Sequence, residues 1–359
     1  MLLFLGSGVS LASGLPGVMK ITDQLLNGRY FWDLDQRGKF YSLTKAKGKN
    51  VEKIDNVQRF LRLLKEIDGH YLETLAPYNS GGKYHSTGSI YRSDTSYEDL
   101  FYLCEQIRQS GVGLTDDAMT GAFVDLIEKK ASNLLEGDVR EERLISLYHL
   151  STLSSNFIEW LVADSLHPTR IEGLDLLVDL AKSQNISRLD IVTLNHDTLV
   201  EQLFTKYNIP FVDGFGPKDG DFRLYDDSLY DADDARVRIF KPHGSVEWYR
   251  VSGITYPAIF CGEDIQNCYL GDGEEMKIDI KTPAFLSGVN KIVFYNRGIY
   301  SEVFFRVHKV FREHQSVVMS GYGWRDTAIN FRIMNWLSYT KQNAIFLLHQ
   351  HPDDLVGCS

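Results

Sequence analysis

Short apolar runs alternate with helix-period stretches along this chain, and polar, glycine-containing motifs follow directly after the runs. That pattern predicts an α/β fold, a parallel sheet with helices on both faces. A long helix-patterned stretch between the first run and the second predicts a helical insertion into that fold.

The expected strands are Leu2–Leu5, Leu189–Leu194, Val237–Phe240, Ser316–Ser320 and Ala344–Leu348. Each has strand length and is rich in β-branched or large apolar residues. Expected helices are Val51–Ile67, Glu98–Gln109, Asp117–Leu135, Glu141–Ala163, Ile171–Gln184, Phe304–His314 and Thr327–Leu337, where apolar residues recur every three or four positions. Apart from the Val51 helix, residues 28–94 read as irregular, with Gly81-Gly82 in a surface loop. Asp213–Asp234 holds eight aspartates and reads as a solvated acidic loop; its spacing matches no EF-hand. The implied division is a sheet domain of residues 1–27 and 186–359 around a mainly helical inserted region, 28–185.

The chain has 359 residues, 43% apolar and 24% charged, as in ordinary globular proteins. A net charge of −10 argues against a general nucleic-acid binder, which needs a basic face to displace counterions. No apolar run is long enough for a membrane-spanning helix, and no basic segment precedes the first run as in a signal peptide, so a cytoplasmic location is expected. The four cysteines (Cys104, Cys261, Cys268 and Cys358) include no Cys-x-x-Cys pair, so no structural zinc site and no other metal is expected.

The first run ends in Gly6-Ser7-Gly8, followed by a helix-like pattern. Strand, glycine turn and helix can present backbone N–H groups to a phosphate, helped by about half a positive charge at the helix N-terminus. The dinucleotide fingerprint G-x-G-x-x-G is not met, because Leu11 stands at the third glycine position and no acidic residue closes a second strand about 20 positions on. The turn therefore reads as a nucleotide site of another type.

The later motifs also carry chemistry. TLNHD places Asn195 and Asp197 at a strand end, an amide to hold a ribose hydroxyl or water and a carboxylate to stabilise positive charge on a sugar. A strand-end cap explains the same two residues equally simply. KPHG places His243 after a strand, where an imidazole can take a proton near neutral pH. Asp326 reads as a helix cap, Glu98 and Asp99 as helix N-terminal residues, and His196 as non-catalytic.

Taken together, GSGVS (Gly6, Ser7, Gly8, Val9, Ser10), SGLP (Ser13 to Pro16), TLNHD (Thr193 to Asp197), KPHG (Lys241 to Gly244) and SGYGWRD (Ser320 to Asp326) resemble the sirtuin motifs in their order. Ser7 replaces the usual alanine, the late serine Ser320 precedes its glycine, and the zinc-ribbon cysteines of the deacylases are absent. The resemblance implies a Rossmann-like domain that takes NAD+ as substrate. Gly6, Ser7, Gly8, Val9, Ser10, Pro16, Thr193, Gly244, Ser320, Gly321 and Tyr322 would bind it. Asn195, Asp197 and His243 would be catalytic, His243 as general base. It further implies the non-zinc, bacterial defence-type branch, in which NAD+ is hydrolysed to nicotinamide and ADP-ribose in an anti-phage response switched on by assembly. A homo-oligomer and a HerA-like ATPase are the partners implied, with no membrane or direct nucleic-acid partner. An NAD-dependent protein deacylase and a non-catalytic NAD or ADP-ribose sensor remain open alternatives.

Overall fold

In the computed structural model, the described residues are 1–33, 39–79, 94–111, 113, 117–135, 147–262, 268–276, 278, 283–286, 291–324 and 326–349. The chain forms two compact units, one of Met1–Gly17, Ala163–Leu286 and Asn290–Ser359, the other of Val18–Val162 with Ser287–Val289.

The first unit begins with β1 (Leu2–Leu5), whose four side chains are all buried. A single 3-10 turn, Ser7–Ser10, follows it. The helix expected directly behind the glycines is not there. The next α-helix starts only at Val18, so no helix terminus lends charge to the glycine turn.

The second unit opens with that helix, α1 (Val18–Asn27), which buries Ile21, Leu25 and Leu26 along one face. Residues read as irregular form a small antiparallel sheet of β2 (Tyr30–Asp33), β3 (Phe40–Ser42) and β4 (Val51–Lys53), in the order β3-β2-β4. The helix expected from Val51 therefore starts four residues later, as α2 (Asp55–Asn79), because Val51, Glu52 and Lys53 pair with Asp33, Trp32 and Phe31. Gly81-Gly82 lies outside the described residues.

Then come α3 (Tyr97–Gly111), α4 (Ala118–Lys130), α5 (Ser132–Leu135) and α6 (Leu147–Ser165). The start expected for α6, Glu141, lies outside the described residues. Asp99 accepts from the backbone N–H and the hydroxyl of Ser96, both at 2.7 Å, which closes the first turn of α3 as a capping box does. Aromatic packing fills this unit's core, with Phe157 5.3 Å from Tyr30 and 5.4 Å from Phe40 between ring centres.

Back in the first unit, α7 (Asp175–Lys182), β5 (Leu189–Thr193) and α8 (Leu199–Lys206) follow. The acidic stretch expected as a loop is largely structured. β6 (Phe215–Asp219) and β7 (Phe222–Tyr225) make a hairpin, and Asp227–Asp231 a 3-10 turn. Its aspartates are tied down: Arg223 forks onto Asp213, and Arg306 binds Asp227 and Asp231. Next are β8 (Val237–Phe240), β9 (Trp248–Tyr249), β10 (Ala258–Phe260), β11 (Cys268–Tyr269), β12 (Glu275–Met276), α9 (Gly298–Glu313), β13 (Ser316–Ser320), α10 (Thr327–Tyr339) and β14 (Ala344–Leu348).

The central sheet has five parallel strands in the order β14-β13-β1-β5-β8. This is an α/β, Rossmann-like fold. Both faces of β1 are buried: Leu2 and Phe4 pack with Val307, Val310 and Phe311 of α9 and Trp336 of α10, while Leu3 and Leu5 are buried as well. β6, β7, β9 and β10 form a second, antiparallel sheet in the order β6-β7-β10-β9. No helix among the described residues is long and apolar enough to cross a membrane.

Candidate active site

Parallel strands all end on one side, so the segments after β1, β5, β8 and β13 gather at one edge of the sheet. Register brings them together pairwise: Leu5 lies beside Thr193 and Ser320, and Val192 beside Phe240.

The glycine turn packs directly against the segment after β13. Gly6 N–H donates to the Ser320 carbonyl and Gly8 N–H to the Gly321 carbonyl, each at 2.9 Å, and Val9 N–H turns back to the Gly6 carbonyl at 3.2 Å. A Cβ on Gly6 would sit 2.4 Å from the Gly321 carbonyl oxygen, and one on Gly321, at φ +66°, would sit 2.6 Å from the Val9 nitrogen. These glycines therefore serve loop-against-loop packing. The expected phosphate cradle is corrected to that extent: the N–H groups of Gly6, Gly8 and Val9 already donate within the protein.

Beneath the turn lies a buried polar chain. Asn195 Nδ2 donates to the Gly6 carbonyl at 3.1 Å and to Ser10 Oγ at 2.9 Å. Ser10 Oγ in turn donates to Asp197 Oδ2 at 2.7 Å, and Asp197 Oδ1 accepts the Leu199 N–H at 3.1 Å. Asp197 thus does close the first turn of α8, as the strand-end reading expects, while also holding Ser10. The carbonyl of Gly6 can only accept, so the amide atom facing it is the nitrogen. That leaves Asn195 Oδ1 buried and without a hydrogen-bond partner among the described residues. Such an orphan acceptor costs roughly 1–3 kcal/mol until a donor meets it.

A second chain is built on His243. Its Nε2 lies 2.9 Å from Asp326 Oδ2, which also accepts the Tyr295 hydroxyl at 2.9 Å; Asp326 Oδ1 accepts the Ile329 N–H at 2.9 Å and so caps α10. Burial alone would raise the Asp326 carboxyl, but the hydrogen bond and charge of His243, the charge of Lys291 and the Ile329 N–H hold it well below the usual carboxylate range. An ionised Asp326 can only accept, so His243 Nε2 carries a hydrogen, and in the neutral ring the lone pair is on Nδ1. Lys291 Nζ stands 3.5 Å from that Nδ1. Gly244, at φ +78°, turns the chain away where a Cβ would meet the Ala284 carbonyl oxygen at 2.6 Å.

His196 is buried with its ring 4.6 Å from that of Phe285. Burial first, then the charges of His243, Lys291 and Lys241, push its imidazole well below the ordinary value, so it stays neutral. Lys241 Nζ donates to the Asp197 carbonyl and, at 2.8 Å, to Glu201 Oε1, joining the KPHG and TLNHD segments.

The remaining predicted residues divide. Thr193 Oγ1 accepts the Asn195 N–H at 3.2 Å and shapes the strand end. Ser7 is exposed, and Val9 and Pro16 are half-buried. The Ser320 hydroxyl points along the sheet to the Leu348 carbonyl at 3.4 Å. Tyr322 packs edge-on against Phe4, and its hydroxyl bonds the Asp326 carbonyl and Asn330, a core role. Sequence reading assigned Asp326 only its cap, although its tie to His243 spans 83 positions. Lys291 and Tyr295 lie in no motif, and nothing local marks them.

Residues 190–356 match the family model of the SIR2-like domain. The match takes in the segments of Asn195, His243 and Asp326; the opening glycine turn lies before it. No curated protein matches the chain.

Proposed function

We propose that the chain is an NAD+ glycohydrolase that cleaves NAD+ to nicotinamide and ADP-ribose. The observation that carries this reading is the orphan Oδ1 of Asn195, held between the glycine turn and the Ser10–Asp197 pair. A buried amide oxygen with nothing to accept suits a ribose hydroxyl, and the neighbouring carboxylate of Asp197 suits the positive charge that develops on the sugar. The SIR2-like match supports NAD-dependent chemistry in general.

In this reaction the bond between nicotinamide nitrogen and ribose C1′ breaks and a bond from water oxygen to C1′ forms. Nicotinamide leaves neutral with the bond's electron pair, so it needs no acid. The proton lost by water goes to a base, and His243 Nδ1 is the basic nitrogen of the pair with Asp326. Lys291 must swing from Nδ1 for that transfer.

Purified protein incubated with NAD+ alone should release nicotinamide and ADP-ribose, and Asn195→Ala and His243→Ala should each abolish release. Consumption only with an acylated peptide present would assign deacylation instead, and binding without turnover would assign sensing. A role as an anti-phage effector switched on by assembly, with a HerA-like ATPase as a possible partner, extends the same reading. It predicts a turnover rate per mole that climbs with protein concentration or with added partner.

A further inference from the structure

A cavity of about 400 Å³ opens beside α8, within the range that small organic ligands occupy. Glu201 and Thr205 line it from α8, and Glu247 and Trp248 from the segment after KPHG. Phe211 and Ile259 add apolar wall.

Its charges are unevenly settled. Arg223 is already forked onto Asp213, and Lys241 onto Glu201 Oε1 and the Asp197 carbonyl. Glu201 Oε2 is buried and has no hydrogen-bond partner among the described residues. The Glu247 carboxylate, half-buried, makes no ion pair among them. Burial, then the charge of Glu201, raises the Glu247 carboxyl, although Lys241 and Arg223 on the same wall act in the opposite direction. Lys206 also lines the cavity, at its exposed rim, so Glu247 is the half-buried acid of this wall left without a cation at bonding distance among the described residues, and Trp248 lines the cavity beside it.

We infer that this cavity is a binding site for a small organic cation, a primary ammonium or guanidinium group on an apolar or aromatic body, held between Glu201 and Glu247 with Trp248 as its wall. The charged group could belong to a free metabolite or to a lysine or arginine side chain of a partner protein; the chemistry is the same.

Titration calorimetry on the intact chain with benzylamine and with neutral benzyl alcohol tests it, beside a capped tripeptide with central arginine. Benzylamine or the peptide should bind at least about tenfold tighter than the alcohol, a difference of about 1.4 kcal/mol, and Glu247→Gln should remove that preference. The tighter of the two cations identifies the source. Equal binding of amine and alcohol, an unchanged preference in Glu247→Gln, or tighter binding of benzoate would overturn the assignment. Should Glu247→Gln fail to fold, the indole NMR signal of Trp248, assigned with Trp248→Phe, decides on the unaltered chain: a shift with benzylamine and none with the alcohol supports the site, and no shift with either overturns it.

Discussion

His243 and Asp326, 83 positions apart, meet at 2.9 Å between Nε2 and Oδ2 with both residues buried. One carboxylate thereby sets the imidazole's tautomer, fixes its ring and caps the helix that follows. Asp326→Asn keeps a good cap, since asparagine serves as well as aspartate there, but removes the charge that favours a protonated ring. NAD+ turnover per folded molecule should fall by up to about 100-fold, and the melting temperature at pH 7 should also drop, because the stabilising contribution of the ionised carboxyl is lost. Unchanged turnover in the fraction that remains folded would make Asp326 merely structural.

Gly321→Ala tests the packing of loop on loop. The added Cβ would meet the Val9 nitrogen at 2.6 Å in a backbone already at φ +66°. The cost should be about 1–3 kcal/mol or more, read as a lower denaturant midpoint with an unchanged slope.

At the opposite end of the sheet, Arg238 donates to the fully buried Asp190 at 2.6 Å and to Glu313 at 2.9 Å, and His314 lies 2.7 Å from Asp190. Arg238→Met leaves that carboxylate with one partner fewer. Breaking such a pair from one side costs about 3–5 kcal/mol, so Arg238→Met should unfold at much lower denaturant. The distance from the strand ends that hold Asn195 predicts normal turnover in whatever fraction remains folded.

The same aspartate gives a pH dependence. Burial works to raise Asp190, but the bonds from His314 and Arg238 outweigh it and leave the carboxyl below its ordinary value. Asp326 is depressed in the same direction. A depressed carboxyl stabilises the fold above its unfolded value, near 3.9, and that contribution fades as pH falls towards the folded value. Urea midpoints measured from pH 6 downwards should therefore drop most steeply below about pH 4, and the drop should be shallower in Asp326→Asn.

Glu247 has the opposite sign. Its raised carboxyl favours the fold at low pH, a contribution lost as pH rises through the folded value. Glu247→Gln, which cannot ionise, should melt higher than the parent chain at pH 7 and equally at pH 4.

Four predicted strands (Leu2–Leu5, Val237–Phe240, Ser316–Ser320 and Ala344–Leu348) stand at their predicted bounds, and the predicted Leu189–Leu194 ends one residue early, at Thr193. Parallel strands announce themselves as short apolar runs, whether buried like β1, β5 and β8 or exposed at the sheet edge like β14. Val51–Lys53 went unseen because a three-residue strand carries no periodicity of its own and exists through its pairing with β2. The hairpin Phe215–Tyr225 is masked in the sequence by Asp219 and Asp221, whose carboxylates accept the backbone N–H groups of Gly271 and Tyr269 about 50 positions away.

The chain's own order of residues determined the α/β class, the five strands of the central sheet and the places where Asn195, Asp197 and His243 fall, since those depend on neighbours within a few positions. Tertiary structure alone decided that Gly6 and Gly8 close against Gly321, that Asn195 Oδ1 is left without a donor, and that Asp326 and Lys291 flank the two nitrogens of His243. Hydrogen-bond direction and the orphaning of a buried atom depend on partners tens to hundreds of positions away, and no local pattern encodes them.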